Sequence, residues 1–409
     1  MALTETASEE QNLEQRIQRV GAALGRTLTA VKDAVPGAPQ GPQNLARALG
    51  LDKVLTSRLL KAIGKGDPMA VLHHIPGPEP LRRVLRSARK LGVPAATLRP
   101  ATEAIEAFDQ LIHKDAGDRS SLGAIISAWL PEAREEFELR RKQSAFKAMS
   151  QLKGAELDMD LSAAFLHPSA DGKHIDVVWA NSALGLKRLR PGAVFRFTSQ
   201  RMVPDDAERR PTTLDGEPAL GLDRVRLDEF CISPPAEIDV VQHGDALHYT
   251  LGGEGYGPRS AVDVVFVEVN LEEMPRFIPG ASPRKAYVYS EVWVPSKVLV
   301  LDLFVHEDLY EGADPELLIY DTAIRGLADV NDSARDIDRL DMAESIQPLG
   351  RGTGRIRIAE VPRYADLVRL VFGKMGWDDE RFRGYRVRVE YPIYGSQIVL
   401  AFEATSATG

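Results

Sequence analysis

The hydrophobic period of this 409-residue chain changes once, near Ala155. Before that point apolar residues recur every three or four positions, the spacing of one helix face. After it, β-branched and aromatic residues alternate every two, the spacing of one strand face. No single element satisfies both periods, so the chain divides. Residues 1–154 read as a helical region and 155–409 as a β-rich, mainly antiparallel α+β domain with room for two subdomains. The fold class of the whole is α+β.

In the first region Leu13, Ile17, Val20, Leu24, Leu28 and Val31 form one stripe, which predicts a helix from about Glu9 onward after a disordered start. The Pro/Gly stretch AVPGAPQGPQ ends it. Further helices are predicted at 79–91, 101–113, 119–128 and 132–153. The last has Glu132, Glu135, Glu136 and Glu138 early and basic residues late, an order that suits the helix dipole. A winged domain would show an alternating hairpin after residue 64, and none is visible. In the second region strands are predicted at 175–179, 193–198, 238–241, 246–251, 262–269, 285–294, 298–306, 317–324, 355–358, 385–390 and 397–402, with a helix at 363–372. The short link Pro295-Ser296-Lys297 favours an antiparallel pair on either side of it. Residues 329–344 read as an acidic surface helix.

Within the helical region, PQNLARALGLDKVLTSRLLK (42–61) reads as two short helices around a tight turn. Gly50 falls where the first must end in a left-handed conformation, and Asp52 is placed to cap the second. Ala46, Gly50 and Thr56-Ser57-Arg58 follow in the order and register of a helix-turn-helix. This stretch of about twenty residues resembles that motif in lac-repressor-like and phage-repressor-like DNA-binding proteins. The resemblance implies that Lys53, Val54, Ser57 and Arg58 face duplex DNA, with Gln43 near the backbone. Two departures stand out: Val54 and Leu55 replace polar readers, and Thr56 occupies a normally aliphatic, buried position. The competing reading is a helical bundle that binds protein.

Charge favours nucleic acid. The chain is acidic, net −8, yet residues 36–100 hold eleven basic residues against Asp52, Asp67 and Glu79. That segregation has the form of a phosphate footprint. Lys61 and the row Arg82, Arg83, Arg86, Arg89 and Lys90 therefore join the predicted DNA-facing set. A single cysteine, Cys231, excludes an internal disulfide and any cysteine-cluster zinc site, and the lack of a signal peptide or long apolar run points to a cytoplasmic protein without membrane contact.

The second region offers weaker signals. Tyr287, Tyr289, Glu291 and Trp293 share one face of a predicted strand, a set suited to an organic cation or aromatic ligand. Asp302 and His306 share a face of the following strand, taken to lie opposite. His73 and His74 are adjacent and need a further ligand to hold an ion. His243 and His248 need a bend, and the 329–340 stretch fails the calcium-loop pattern. GGEGYG reads as a hairpin loop and GRGTGR as a turn. No metal, cofactor or catalytic residue is assigned. The sequence thus predicts a homodimeric DNA-binding transcriptional regulator with a ligand-sensing or oligomerisation domain. The alternative is an assembly or adaptor protein, and an enzyme has the least support.

Overall fold

Ile17, Leu24, Leu28 and Val31 lose nearly all contact with solvent, so the stripe read from the sequence is the buried seam of the first helix. The computed structural model describes residues 2–37, 39–201, 211–219, 221–244, 246–277, 284–354 and 356–404, with side chains described from residue 13 onward. The first helix, α1, spans Ala2–Asp33, reaching back through the stretch read as disordered. After it come α2 (Gly41–Leu49), α3 (Lys53–Ile63), α4 (Pro68–His74), α5 (Pro78–Lys90), α6 (Ala95–Gln110), a π-helical turn at Leu111–Ala116, α7 (Arg119–Ser127) and α8 (Pro131–Lys153). Where a wing would stand there is α4, capped by the Asp67 carboxylate on the Ala70 N–H.

The chain forms two compact units, 1–138 and 139–409, the division falling within the sequence of α8; the change of period at Ala155 marks where helix gives way to strand. In the first unit α1 packs against α3, α4 and α6, and one core gathers Leu45, Leu49, Leu55, Leu59, Leu81, Val84 and Phe108.

The second unit begins with β1 (Ala155–Pro168), a strand the sequence reading missed. It continues with β2 (His174–Arg188), β3 (Arg196–Arg201), α9 (Leu222–Val225), β4 (Ile238–His243), β5 (Ala246–Leu251), β6 (Val262–Pro275), β7 (Lys285–Glu291), β8 (Ser296–His306), β9 (Glu316–Asp321), β10 (Ile346–Arg351), α10 (Tyr364–Met375), β11 (Phe382–Glu390) and β12 (Ser396–Glu403). A six-stranded sheet has the order β10-β11-β8-β1-β2-β6, and two three-stranded sheets run β7-β12-β9 and β3-β5-β4. The fold is α+β. Its large sheet is mixed, because β1 and β8 run parallel.

Three expectations are corrected here. β7 and β8 do not pair: β7 joins β12, while β8 lies between β1 and β11. The cause is burial. VLVLDLFV is apolar on both faces, as a central strand must be, and a half-exposed hairpin partner could not cover it. One face of β8 meets α10 through Val300 and Phe304; the other meets the β7-β12-β9 sheet through Leu299, Leu301 and Leu303. Within 329–344 there is a short 3₁₀ helix (Ser333–Asp338) rather than a surface α-helix, tied by the Arg335 guanidinium to the Gly326 and Leu327 carbonyls. The strand placed at 355–358 is loop over 356–358, and Arg355 lies outside the described residues. Among the described residues no helix is long and apolar enough to cross a membrane.

Candidate functional sites

The turn between α2 and α3 is built as its residues demand. Gly50 takes φ 64° and ψ 36°, and the Leu51 N–H closes the end of α2 on the Ala46 carbonyl at 3.0 Å. The Asp52 carboxylate accepts the Leu55 N–H at 2.7 Å, capping α3. Thr56 is fully buried. Its hydroxyl donates to the Pro42 carbonyl at 2.9 Å, so a polar residue sits in an aliphatic position without an orphaned group. Thr56 thereby ties the start of α2 to α3.

With Leu55, Thr56 and Leu59 inward, helical spacing leaves Lys53, Val54, Ser57, Arg58 and Lys61 outward, and all five are exposed, as is Gln43. Leu55 belongs to the core, so of the two apolar departures only Val54, 69% exposed, faces solvent. Among the described residues no carboxylate pairs with Lys53, Arg58 or Lys61. The α5 row is different. Arg82 is half-buried and bonded to Asp109 at 2.7 Å, and Arg86 is bonded to Glu79 at 2.8 Å, whereas Arg83, Arg89 and Lys90 are exposed without an ion pair among the described residues. Arg82 and Arg86 are therefore weaker members of the predicted DNA-facing set, their charges being met within the protein.

The second unit holds a cleft of about 1060 Å³, and its floor follows from strand register. Pairing of β1 with β2 sets Asp160 beside Ala183, Ser162 beside Asn181 and Ala164 beside Trp179; pairing of β2 with β6 then adds Phe266 and Glu268. β7 lines the cleft along its length, bringing Tyr287, Tyr289 and Glu291, with Trp293 just beyond. The four residues singled out by alternation thus do line one site. Trp293 carries the Arg196 guanidinium at 3.8 Å over its ring.

Burial governs the acids here. Asp160 is pushed up to about 7 by desolvation alone, and among the described residues nothing bonds to its carboxylate. Burial also raises Glu268, against the pull of its bonds from Asn270 and from Gln200, the latter at 2.6 Å, and raises Glu291 against the Trp293 indole. Sequence reasoning missed Asp160 and Glu268. The only available signal was the alternation Leu157-Asp158-Met159-Asp160-Leu161, in which an acid recurs on one face.

Asp302 and His306 do not belong to this site. They lie on the opposite face of the large sheet from the cleft floor, because Asp302 shares the face of Val300 and Phe304 that packs on α10. Asp302 is fully buried and accepts from Arg386 Nε at 2.7 Å, Arg386 Nη2 at 2.6 Å and the Tyr364 hydroxyl at 2.5 Å. His306 is buried against His167 and Phe382 and lowered by desolvation.

Among the described residues two side-chain groups have the donor types for a metal ion. Asp171, His174 and Glu272 form one, where the β1–β2 turn meets β6. The other answers the need for a further ligand: Glu136 of α8 reaches His73 Nε2 at 2.9 Å, with His74 adjacent. Desolvation, then Lys61, His73 and Lys65, lower His74 to about 4. That keeps the imidazole neutral, as a ligand must be, while the same cations oppose a divalent ion. His243 and His248 face each other across the β4–β5 hairpin, ring centroids 6.1 Å apart. Cys231 is half-buried, and burial raises its thiol, the reverse of an activated nucleophile.

No family model and no curated protein matches the chain. Among solved structures there is a match to a protein of Parabacteroides distasonis described as a "putative protease", at 9% identity and a TM-score of 0.22. It spans 61% of this chain and 40% of that one; a likeness this slight carries no argument.

Proposed function

We propose that the protein is a cytoplasmic DNA-binding transcriptional regulator, with a helix-turn-helix at 42–61 and a cationic effector taken in the cleft of the β-rich unit. The observation that carries the reading is the outward face of α3. It presents Lys53, Ser57, Arg58 and Lys61, and among the described residues none of its cations is neutralised by the protein's own carboxylates. A basic face left open at the start of a second helix suits the major groove, where side chains near that start reach base edges and the rest meet phosphate. A single short motif reads too little sequence alone, so a homodimer on a pseudo-palindromic site goes with the proposal.

The assembly or adaptor reading keeps one specific point in its favour. Val54 is an exposed apolar residue in the middle of the reading face, which a protein partner would cover. The two readings part on selection from a random duplex pool with the full chain. A regulator enriches a sequence with two related half-sites. A pool that stays random after repeated rounds overturns the regulator and leaves the adaptor.

A further inference from the structure

Among the described residues β7 is the edge strand of its sheet, and residues of both its faces, Tyr287, Val288, Tyr289 and Ser290, line the cleft. Which backbone groups lie at its open edge follows from its two ends. The Val292 N–H donates to the Ser396 carbonyl at 3.0 Å, and the Ala404 N–H donates to the Arg284 carbonyl at 2.8 Å, so even-numbered positions bond toward β12. In an antiparallel pair the direction alternates, and Lys285, Tyr287, Tyr289 and Glu291 therefore direct their N–H and C=O groups away from β12. At Lys285 those groups are already met: the N–H donates to Asn331 Oδ1 at 2.7 Å and the carbonyl accepts from Asn331 Nδ2 at 3.0 Å. The Asn331 amide there imitates one residue of a neighbouring strand. Beyond it, among the described residues, nothing bonds to the backbone of Tyr287, Tyr289 or Glu291.

Exposed edges of this kind are normally blunted by proline, a bulge or inward charge, and 287–291 has none of the first two. The cleft volume lies at the top of the range for small-molecule sites. Its described lining contains Asp160, Glu268 and Glu291 against one basic residue, Lys285. We infer that the cleft receives an extended, basic peptide segment, which adds as a strand to the open edge of β7 and sets lysine or arginine side chains against Asp160 and Glu268. This rests on reading the cleft as the effector site and names the class of effector. Backbone pairing supplies affinity independent of sequence, and the acids supply the preference for basic residues. The raised Asp160 and Glu268 fit this arrangement, because an incoming cation offsets the cost of ionising a desolvated carboxyl.

The test is display selection of random heptapeptides on the full chain, followed by polarisation measurements with the enriched peptide. Lysine or arginine is expected at alternate positions. N-methylation of the amides facing β7 should weaken binding about 100-fold or more. Asp160→Asn should weaken it about tenfold, and Tyr289→Pro, which removes an outward N–H on an edge strand, should abolish it. No enriched peptide, or an N-methylated peptide that binds as well, overturns the inference. Concentration-dependent dimers lost in Tyr289→Pro would assign the edge to a second copy and also overturn it. If spermidine binds in an Asp160-dependent way and no peptide does, the peptide inference fails while the effector site stands.

Discussion

Replacing Lys53 and Arg58 together by alanine is expected to weaken binding to a selected duplex by about 100-fold or more. One base or phosphate contact contributes ~1–3 kcal/mol, and ~1.4 kcal/mol is a factor of ten. Both side chains are exposed, so neither substitution removes core packing, and the thermal transition of the double variant should match the parent. The two residues should also separate. If Arg58 reads a base, Arg58→Ala relaxes preference at one position; if Lys53 meets phosphate, Lys53→Ala weakens all sequences alike. Anisotropy titrations on the selected duplex and on single-base variants of it distinguish these. Unchanged affinity in the double variant would remove α3 from the interface.

The second large effect is on stability. Asp302→Ala is expected to cost about 3–5 kcal/mol, because it leaves the Arg386 guanidinium buried without its carboxylate and the Tyr364 hydroxyl without its acceptor. Replacing all three by apolar residues of similar size should recover most of that loss, since a buried ion pair contributes little net stability against a well-packed apolar set. Denaturation followed by tryptophan fluorescence suits this. Trp179, Trp293 and Trp377 report on the second unit and Trp129 on the first. An Asp302→Ala protein that unfolds with the parent would show that Tyr364 and Arg386 find other partners at no cost.

What could be read from the residues was mostly local. The stripe of α1, the left-handed Gly50, the Asp52 cap and the tyrosine face of β7 each depend on neighbours within a few positions. β1 was not legible: AELDMDLSAAFLHP contains no Val, Ile or Thr, so propensity is silent, and the strand forms because β2 and β8 pair with it while α10 packs over Met159, Leu161 and Phe165. Asp302 and His306 were correctly placed on one strand face, but a period of two does not say which sheet that face meets. The answer lay about 60 residues downstream, in Tyr364. Glu136 beside His73 is the same case: partners 63 positions apart leave no trace in local spacing.

On this reading α3 offers Lys53, Arg58 and Lys61, which no carboxylate meets among the described residues, to a sugar-phosphate groove. The most direct test is a salt titration of the full chain on the selected duplex. If Lys53, Arg58 and Lys61 of both protomers each displace a counterion, raising salt from ~50 to ~200 mM should weaken binding roughly 2000-fold, and removing Lys53 should flatten the slope by about two ions. Binding that is absent at low salt, or that does not change across that range, would show that α3 does not meet the phosphate backbone.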